Sequence, residues 1–149
     1  MSNHEELIGR FSTQSNRKML RYLNLCLGKH DITLEQWAVL MSLSKEQQIN
    51  QKQLSEITDK DQTTLTRILD ILQRKELVQR QTSKQDRRSF IILLTDKGNA
   101  LKLQIAQTTD IAYEKILNNI SRDNLDIYRE VLIKMNDNIT NEMKDLKYQ

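Results

Sequence analysis

The sequence predicts a mainly α-helical protein with one small β-hairpin, and three observations support that fold class. The chain has no Pro and only three Gly among 149 residues, which favours long helices and few tight turns. Apolar residues recur at spacings of three and four near both ends of the chain, as amphipathic helices require. One stretch, at about residues 77–94, is instead short and rich in the β-branched and aromatic residues typical of strands.

Two helices are predicted in the first third of the chain. The first covers residues 5–28 and ends at Gly28, a common helix stop. Thr33 begins the second, because Thr33-x-x-Gln36 matches a capping box, in which each side chain binds the other residue's free backbone N–H. The first helix carries an apolar stripe of Ile8, Phe11, Met19, Tyr22 and Cys26. The second is expected to bury Trp37, Leu40, Met41 and Leu43.

Two short helices with a tight break between them follow. Asn50 caps a helix over residues 51–57, and Asp61 caps another that runs to about Lys75. In the latter, Leu65, Ile68, Leu69 and Leu72 fall on one side at 100° per residue, whereas Thr63, Arg67, Asp70 and Arg74 fall on the other. Two short helices arranged in this way indicate a helix-turn-helix.

The hairpin and two further helices complete the chain. Strands are predicted at residues 77–78 and 89–94, joined by the polar, mostly charged segment 82–88, so the hairpin resembles a wing. Thr95 caps a long helix with apolar residues from Leu101 to Ile120, and Ser121 caps a last helix with apolar residues from Leu125 to Leu146.

Composition excludes several classes of protein. With 29% charged residues and no apolar run longer than five residues, we expect no membrane span, no signal peptide and a cytoplasmic protein. A single Cys forms no internal disulfide, and two His leave little for a metal site, so we expect neither a metal nor a cofactor. The sequence shows no Gly-rich phosphate loop, no nucleophile elbow and no ligand cluster, so we do not expect an enzyme.

Positive charge is concentrated in the hairpin. Residues 74–88 carry six basic and two acidic residues, a net charge of +4, although the whole chain has only +3. Such a cluster suits phosphates, and the alternative is a solvated charged face. We therefore predict a lobe that binds double-stranded DNA at residues 33–95, flanked by helical regions at 1–32 and 96–149. The apolar stripes of these flanking helices have little to cover them within one chain, which indicates a homodimer.

Several motifs resemble the MarR (multiple antibiotic resistance regulator) family of winged-helix regulators. The segment from Asp61 to Leu72 resembles its recognition helix, and Asp86-Arg87-Arg88-Ser89 followed by Leu94-Thr95-Asp96-Lys97-Gly98 resembles its wing and fifth helix. Residues 32–40 resemble its second helix. One departure is Lys75-Glu76-Leu77, where the family often has Gly. The resemblance implies a repressor that binds an inverted-repeat operator as a homodimer.

The recognition helix and the wing supply the candidate DNA contacts. Thr side chains can bond a base or a phosphate and give their methyl group to thymine, and an Arg can read a guanine edge. By resemblance, Arg88 enters a minor groove, and Asp86 holds the wing by pairing with an Arg, either Arg88 or Arg67. Contacts to phosphates are expected from Arg74, Lys84 and Arg87, for which a merely solvated charge is the alternative. The expected DNA-binding residues are Gln62, Thr63, Thr64, Thr66, Arg67, Arg74, Lys84, Arg87 and Arg88.

A sensing site is less well defined by the sequence. Members of the family often respond to small phenolic or amphipathic ligands or to thiol oxidation. Cys26 has apolar neighbours, so we expect a buried and inert thiol. A pocket lined by Tyr22, His30, Trp37 and Met41 is the candidate effector site, although Trp37 and Met41 are more typical of an ordinary core. The alternative function for the whole chain is a helical protein-interaction module without a DNA role.

Overall fold

The computed structural model describes residues 3–84 and 88–147. The described residues belong to two compact units, whose bounds are Met1–Tyr113 and Glu114–Gln149. The boundaries of the DNA-binding lobe at residues 33 and 95 stay a prediction. The elements are α1 (Asn3–Leu27), a 3-10 turn (Gly28–His30), α2 (Leu34–Met41), β1 (Ile49–Asn50), α3 (Gln51–Thr58), α4 (Gln62–Arg74), β2 (Val78–Thr82), β3 (Phe90–Leu94), α5 (Asp96–Ile116) and α6 (Arg122–Lys147).

The sheet has one more strand than the sequence predicted. Its order is β1-β3-β2, so β3 lies in the middle, and it pairs with both neighbours in the antiparallel direction. Opposite Ile92 of β3 lie Ile49 of β1 on one side and Arg80 of β2 on the other. The strand β1 contains two residues, which is too short to produce the alternating pattern that marks a strand in a sequence.

The helix starts agree with the predicted caps. Thr33 and Asn50 both form complete capping boxes, with Gln36 and Gln53 as the reciprocal partners. The backbone N–H of Thr64 donates to Asp61 Oδ1 at 2.8 Å, so Asp61 caps α4. Local sequence therefore determines where the two helices of the helix-turn-helix begin.

The core lies between α2, α3, α4, the sheet and the first half of α5. All four apolar residues predicted for α4 are buried, and Trp37, Leu40 and Leu43 are buried as well. Met41 was wrongly placed in this core, because it is the last residue of α2 and 46% of its surface is exposed. The core cluster contains Leu27, Ile32, Trp37, Val39, Leu40, Leu43, Leu54, Leu65, Ile68, Leu69, Leu72, Leu77, Val78, Ile92, Leu94 and Ile105.

The turn that follows α4 has Glu76 where a glycine was expected by resemblance. Glu76 adopts a left-handed backbone with φ of 61°, a conformation that costs a residue other than glycine about 1 kcal/mol. Two backbone bonds close the turn, from Glu76 N to Gln73 O and from Leu77 N to Leu72 O, both at 2.9 Å. Lys97 Nζ lies 2.9 Å from Glu76 Oε2, an ion pair that a glycine would not make. The left-handed turn therefore forms without a glycine, and β2 runs from Val78 to Thr82, whereas a strand was predicted only at residues 77–78.

Polar contacts cap the start of helix α5 and connect the helix to earlier segments of the chain. Thr95 caps it, since Gly98 N donates to Thr95 Oγ1 at 2.9 Å. Lys102 Nζ donates to the carbonyl oxygens of Met41 and Leu43 at 3.1 and 2.6 Å. His30 Nε2 lies 2.8 Å from Thr108 Oγ1.

The boundary between α5 and α6 differs slightly from the prediction. Helix α5 ends at Ile116, so Ile120, which was expected to continue its stripe, lies in the following turn. Asn119 in that turn has a left-handed backbone with φ of 62°. Ser121 caps α6 as predicted, accepting a bond from Asn124 N at 3.3 Å.

Candidate nucleic-acid interface

The outer face of α4 carries most of the predicted base-reading residues. Gln62, Thr63, Thr66 and Arg67 are exposed, while the opposite face of the helix is buried in the core. Thr64 is placed differently, because it is half-buried and its hydroxyl donates to Asp61 Oδ2 at 2.7 Å. The hydroxyl proton of Thr64 is therefore used inside the helix cap.

The Asp61 carboxylate accepts from both the backbone and the side chain of Thr64. These bonds to the charged form hold the pKa of Asp61 below its ordinary value of 3.8. An ionised carboxylate at this position also interacts favourably with the positive end of the α4 dipole. The start of the recognition helix thus depends on a charged residue rather than on a neutral hydroxyl.

A contact from α3 reaches the recognition helix. Gln51 Nε2 lies 2.8 Å from Thr66 Oγ1 and 3.5 Å from Gln62 Oε1. Sequence reasoning did not identify Gln51, because the contacts cross 15 and 11 residues and leave no local pattern. Two of the predicted DNA-reading side chains are consequently tied to the preceding helix.

The wing presents basic residues on either side of its tip. Lys84 and Arg88 are exposed, and Arg74 is exposed at the end of α4. Ser83 N donates to Ser89 O at 2.9 Å, which closes the base of the tip. Asp86 and Arg87 lie outside the described residues, so the predicted pairing of Asp86 with Arg88 or Arg67 stays a prediction.

A second unpredicted residue, Arg80 of β2, joins the wing to the recognition helix. Its guanidinium donates to Asp70 Oδ1 at 2.5 Å and to the Thr66 carbonyl oxygen at 3.1 Å. The side chain of Arg80 is 19% exposed and that of Asp70 is 52% exposed, so the pair is partly shielded from solvent. Charge-assisted bonds of this kind are shorter and stronger than neutral ones, so they restrain the angle between α4 and the hairpin.

Between α3, α4 and the wing lies an open groove of about 650 Å³. Three of its lining side chains are cationic and none is acidic, which suits an anionic ligand. Gln51, its two partners Gln62 and Thr66, and Arg80 all border this groove. Its lining residues are Asn50, Gln51, Lys52, Gln62, Thr66, Arg80, Arg88, Ser89 and Phe90.

The four candidate effector residues occupy different environments. Trp37 is buried in the core, whereas Met41 is exposed. Tyr22 and His30 are half-buried, and His30 is hydrogen-bonded to Thr108. An effector pocket lined by all four stays a prediction.

The cysteine is more accessible than the sequence suggested. Cys26 was expected to be buried, but it is half-buried. A hydrogen bond with Cys26, together with burial, raises the pKa of the Tyr22 phenol. Cys26 therefore has a polar neighbour on its own helix face, four residues away.

No cluster of three or more metal-ligating side chains occurs within residues 3–84 and 88–147. In the same ranges, each helix is either too short or too polar to cross a bilayer.

The fold and this surface together define a winged helix-turn-helix protein of the DNA-binding class. Residues 32–90 match the sequence profile of the MarR family. The transcriptional regulator SarZ of Staphylococcus haemolyticus is 32% identical over 112 residues, which is 75% of each chain. SarZ of Staphylococcus aureus is 33% identical over 97 residues, 65% of each chain.

A solved structure gives the same result. A cysteine-to-serine mutant of MarR from E. coli, crystallised with operator DNA, superposes with a TM-score of 0.80 and 30% identity. The match covers 91% of this chain and 99% of that one. The chain belongs to the MarR family of transcriptional regulators, and the predicted fold class is confirmed.

Proposed function

We propose that the protein is a repressor that binds an inverted-repeat operator as a homodimer and is released by a small effector. The proposal that the protein binds DNA rests on the exposed polar face of α4, which lies beside a basic wing. A major groove admits one helix, whose short polar side chains then face base edges. The MarR structure with operator DNA, similar to this chain over most of its length, supports the same mode of binding.

Each element has a separate role in this proposal. Thr63, Thr66 and Arg67 face the major groove, where Arg67 reads a guanine edge. Arg88 enters the neighbouring minor groove, where narrow A·T tracts concentrate negative potential. Lys84, Arg87 and Arg74 hold phosphates, which adds affinity without sequence preference.

The homodimer is supported by apolar residues that remain exposed. Phe11 of α1 is 62% exposed, and Ile139 of α6 is 52% exposed. A two-fold dimer would cover such residues and carry two copies of α4, so the half-sites should lie about one helical turn apart.

The effector in this proposal is a small amphipathic or phenolic compound. Its candidate contacts are Tyr22, His30, Trp37 and Met41, close in sequence to the junction of α1 and α2. The bond between His30 and Thr108 gives this junction a direct connection to α5. Titration of phenolic acids into the operator complex, with release followed by fluorescence anisotropy, tests the proposal.

The DNA-binding proposal is tested by titrations against operator and scrambled duplexes at several salt concentrations. Arg67→Ala should weaken operator binding by about 1–3 kcal/mol and relax preference at one symmetric position. Arg88→Ala should reduce the salt slope and weaken A·T discrimination in the flanks. Lys84→Ala should lower affinity about equally for both duplexes.

A matched control for these variants is Arg21→Ala, which removes an exposed positive charge from α1, outside the proposed interface. It should change neither duplex affinity nor the salt slope. If Arg88→Ala binds both duplexes as tightly as the parent, the basic hairpin is a solvated surface and the wing has no DNA role.

A further inference from the structure

Gln51 is placed to control how the recognition helix presents its polar side chains. It is the first residue of α3, is half-buried, and borders the groove that faces the proposed DNA site. Its amide nitrogen is shared between Thr66 Oγ1 at 2.8 Å and Gln62 Oε1 at 3.5 Å. One side chain outside the recognition helix therefore contacts two exposed residues on it, one turn apart.

Thr66 is also restrained from the other side of the groove. Arg80 donates to the Thr66 backbone carbonyl oxygen at 3.1 Å, while Gln51 donates to its side chain. The residue is thereby held by β2 and α3 at once. Because its position is restrained, the direction in which its hydroxyl can bond is restrained as well.

The direction of these bonds decides what the helix offers to DNA. Gln51 donates, so the Thr66 oxygen and the Gln62 carbonyl oxygen both act as acceptors within the protein. Each of the two oxygens already has one of its two lone pairs engaged, so the groups left fully available on the outside are the hydroxyl proton of Thr66 and the amide N–H groups of Gln62. The groove edge of α4 therefore presents hydrogen-bond donors.

We propose that Gln51 is a specificity-determining positioning residue that fixes Gln62 and Thr66 as donors toward the bases. This inference depends on the proposed operator binding by α4. Acceptors in the major groove are guanine N7 and O6, adenine N7 and thymine O4. The keto bases guanine and thymine are thus favoured opposite these side chains, and the amino groups of cytosine and adenine are disfavoured.

Replacing the Gln51 amide by a carboxylate tests the proposal, because a carboxylate only accepts. In Gln51→Glu, the Thr66 hydroxyl and the Gln62 amide N–H would turn inward to donate to the new carboxylate. The Gln62 carbonyl oxygen would then face the DNA and favour amino groups. A Glu in the first turn of a helix is favourable, so the variant is expected to fold.

Gln53→Glu is the matched control. It adds the same charge two residues away in the same turn, and Glu preserves the capping box with Asn50. Any general loss of affinity from a negative charge near DNA appears in both variants, so the difference between them reports the base preference alone. Gln51→Ala removes both contacts without adding charge.

The experiment selects bound duplexes from a random pool with the full-length parent and the three variants, and then measures affinities for single-base changes. The parent should prefer guanine or thymine over adenine or cytosine at one symmetric position, by about tenfold. Gln51→Glu should invert that preference, and Gln51→Ala should reduce it to about twofold or less. Gln53→Glu should keep the parental preference.

The outcomes separate this inference from the proposed function. If the parent enriches no sequence at all, operator binding itself fails. If the parent enriches an operator and both Gln51 variants keep its base preference at every position, Gln51 has no role in specificity. Thermal melts identify a variant that does not fold, in which case the other Gln51 variant decides.

Discussion

At the scale of single residues, Asp61 makes the start of the recognition helix sensitive to acid. The described N-caps of α2, α3, α5 and α6 are the neutral residues Thr33, Asn50, Thr95 and Ser121, whereas α4 has a carboxylate. Hydrogen bonds from Thr64 lower the pKa of Asp61 below 3.8. A lowered pKa in the folded state stabilises the protein above the unfolded pKa, and this contribution is lost as the pH falls through the folded value.

We therefore expect Asp61→Asn to weaken the pH dependence of stability below about pH 4, because Asn caps a helix without titrating. Asp61→Ala should lower the melting temperature at neutral pH, since it removes the cap. Melting curves recorded at about pH 6 and about pH 3 check both. Asp59→Asn serves as the control, because it removes a nearby carboxylate and tolerates the left-handed backbone of that residue. If acidification lowers the melting temperature of the parent and of Asp61→Asn by the same amount, the prediction is wrong.

The sequence predicted local contacts and missed contacts between distant residues. The caps at Thr33, Asn50 and Asp61 are visible because both partners lie within three residues. The bonds from Gln51 to Thr66 and from Arg80 to Thr66 cross 15 and 14 residues. No spacing rule connects such pairs, so only folding of the whole lobe brings them together.

At the scale of elements, the start of α5 packs so closely on Leu77, the residue before β2, that only glycine fits at one position. A Cβ atom added at Gly98 would collide with the Leu77 carbonyl oxygen and lie 2.9 Å from Leu94 Cδ1. The Leu77 carbonyl oxygen also accepts hydrogen bonds from the backbone and the side chain of Thr95, so it cannot easily move. The close approach lets α5 continue directly from the wing.

Gly98→Ala should destabilise the protein by about 1–3 kcal/mol or more, as overpacking of a close contact does. Gly9→Ala is the control, since nothing lies within 4 Å of its added Cβ in the exposed middle of α1. That change should instead stabilise the protein by up to about 1 kcal/mol. Urea unfolding of both variants measures the difference, and a neutral Gly98→Ala would mean that the start of α5 is free to shift.

Periodicity predicted the type of every long element but failed at element ends. The apolar pattern placed Met41 in the core, yet α2 ends at that residue, and its carbonyl oxygen is bound by Lys102 instead. The same pattern carried α5 to Ile120, although the helix stops at Ile116. At the end of a helix, the direction of the chain depends on backbone groups that have no partner within the helix. The spacing of apolar side chains gives no information about these groups.

At the scale of the whole molecule, large apolar side chains are exposed on helices of both units. In the unit Met1–Tyr113, helix α1 exposes Leu7, Ile8 and Phe11. In the unit Glu114–Gln149, helix α6 exposes Ile127, Val131, Ile139 and Met143, which repeat at multiples of four residues. Leu132 and Met135 of the predicted stripe are half-buried, so the exposed residues are the better sites for a test.

The double variant Val131→Glu, Ile139→Glu should therefore dissociate the proposed homodimer. Both side chains are exposed in the single chain, so each chain should still fold, whereas a dimer would bury two unpaired charges per subunit at a cost of several kcal/mol. Sedimentation velocity at micromolar concentration should show a dimer for the parent and a monomer for the variant. A monomer contacts only one half-site, so its affinity for the full operator should fall by about 10²-fold or more, through the loss of bivalent binding. Asn138→Glu, a change at an exposed polar position of the same helix, should stay dimeric. A parent protein that sediments as a monomer would contradict the homodimer, and it would leave the exposed residues of α6 without the proposed partner.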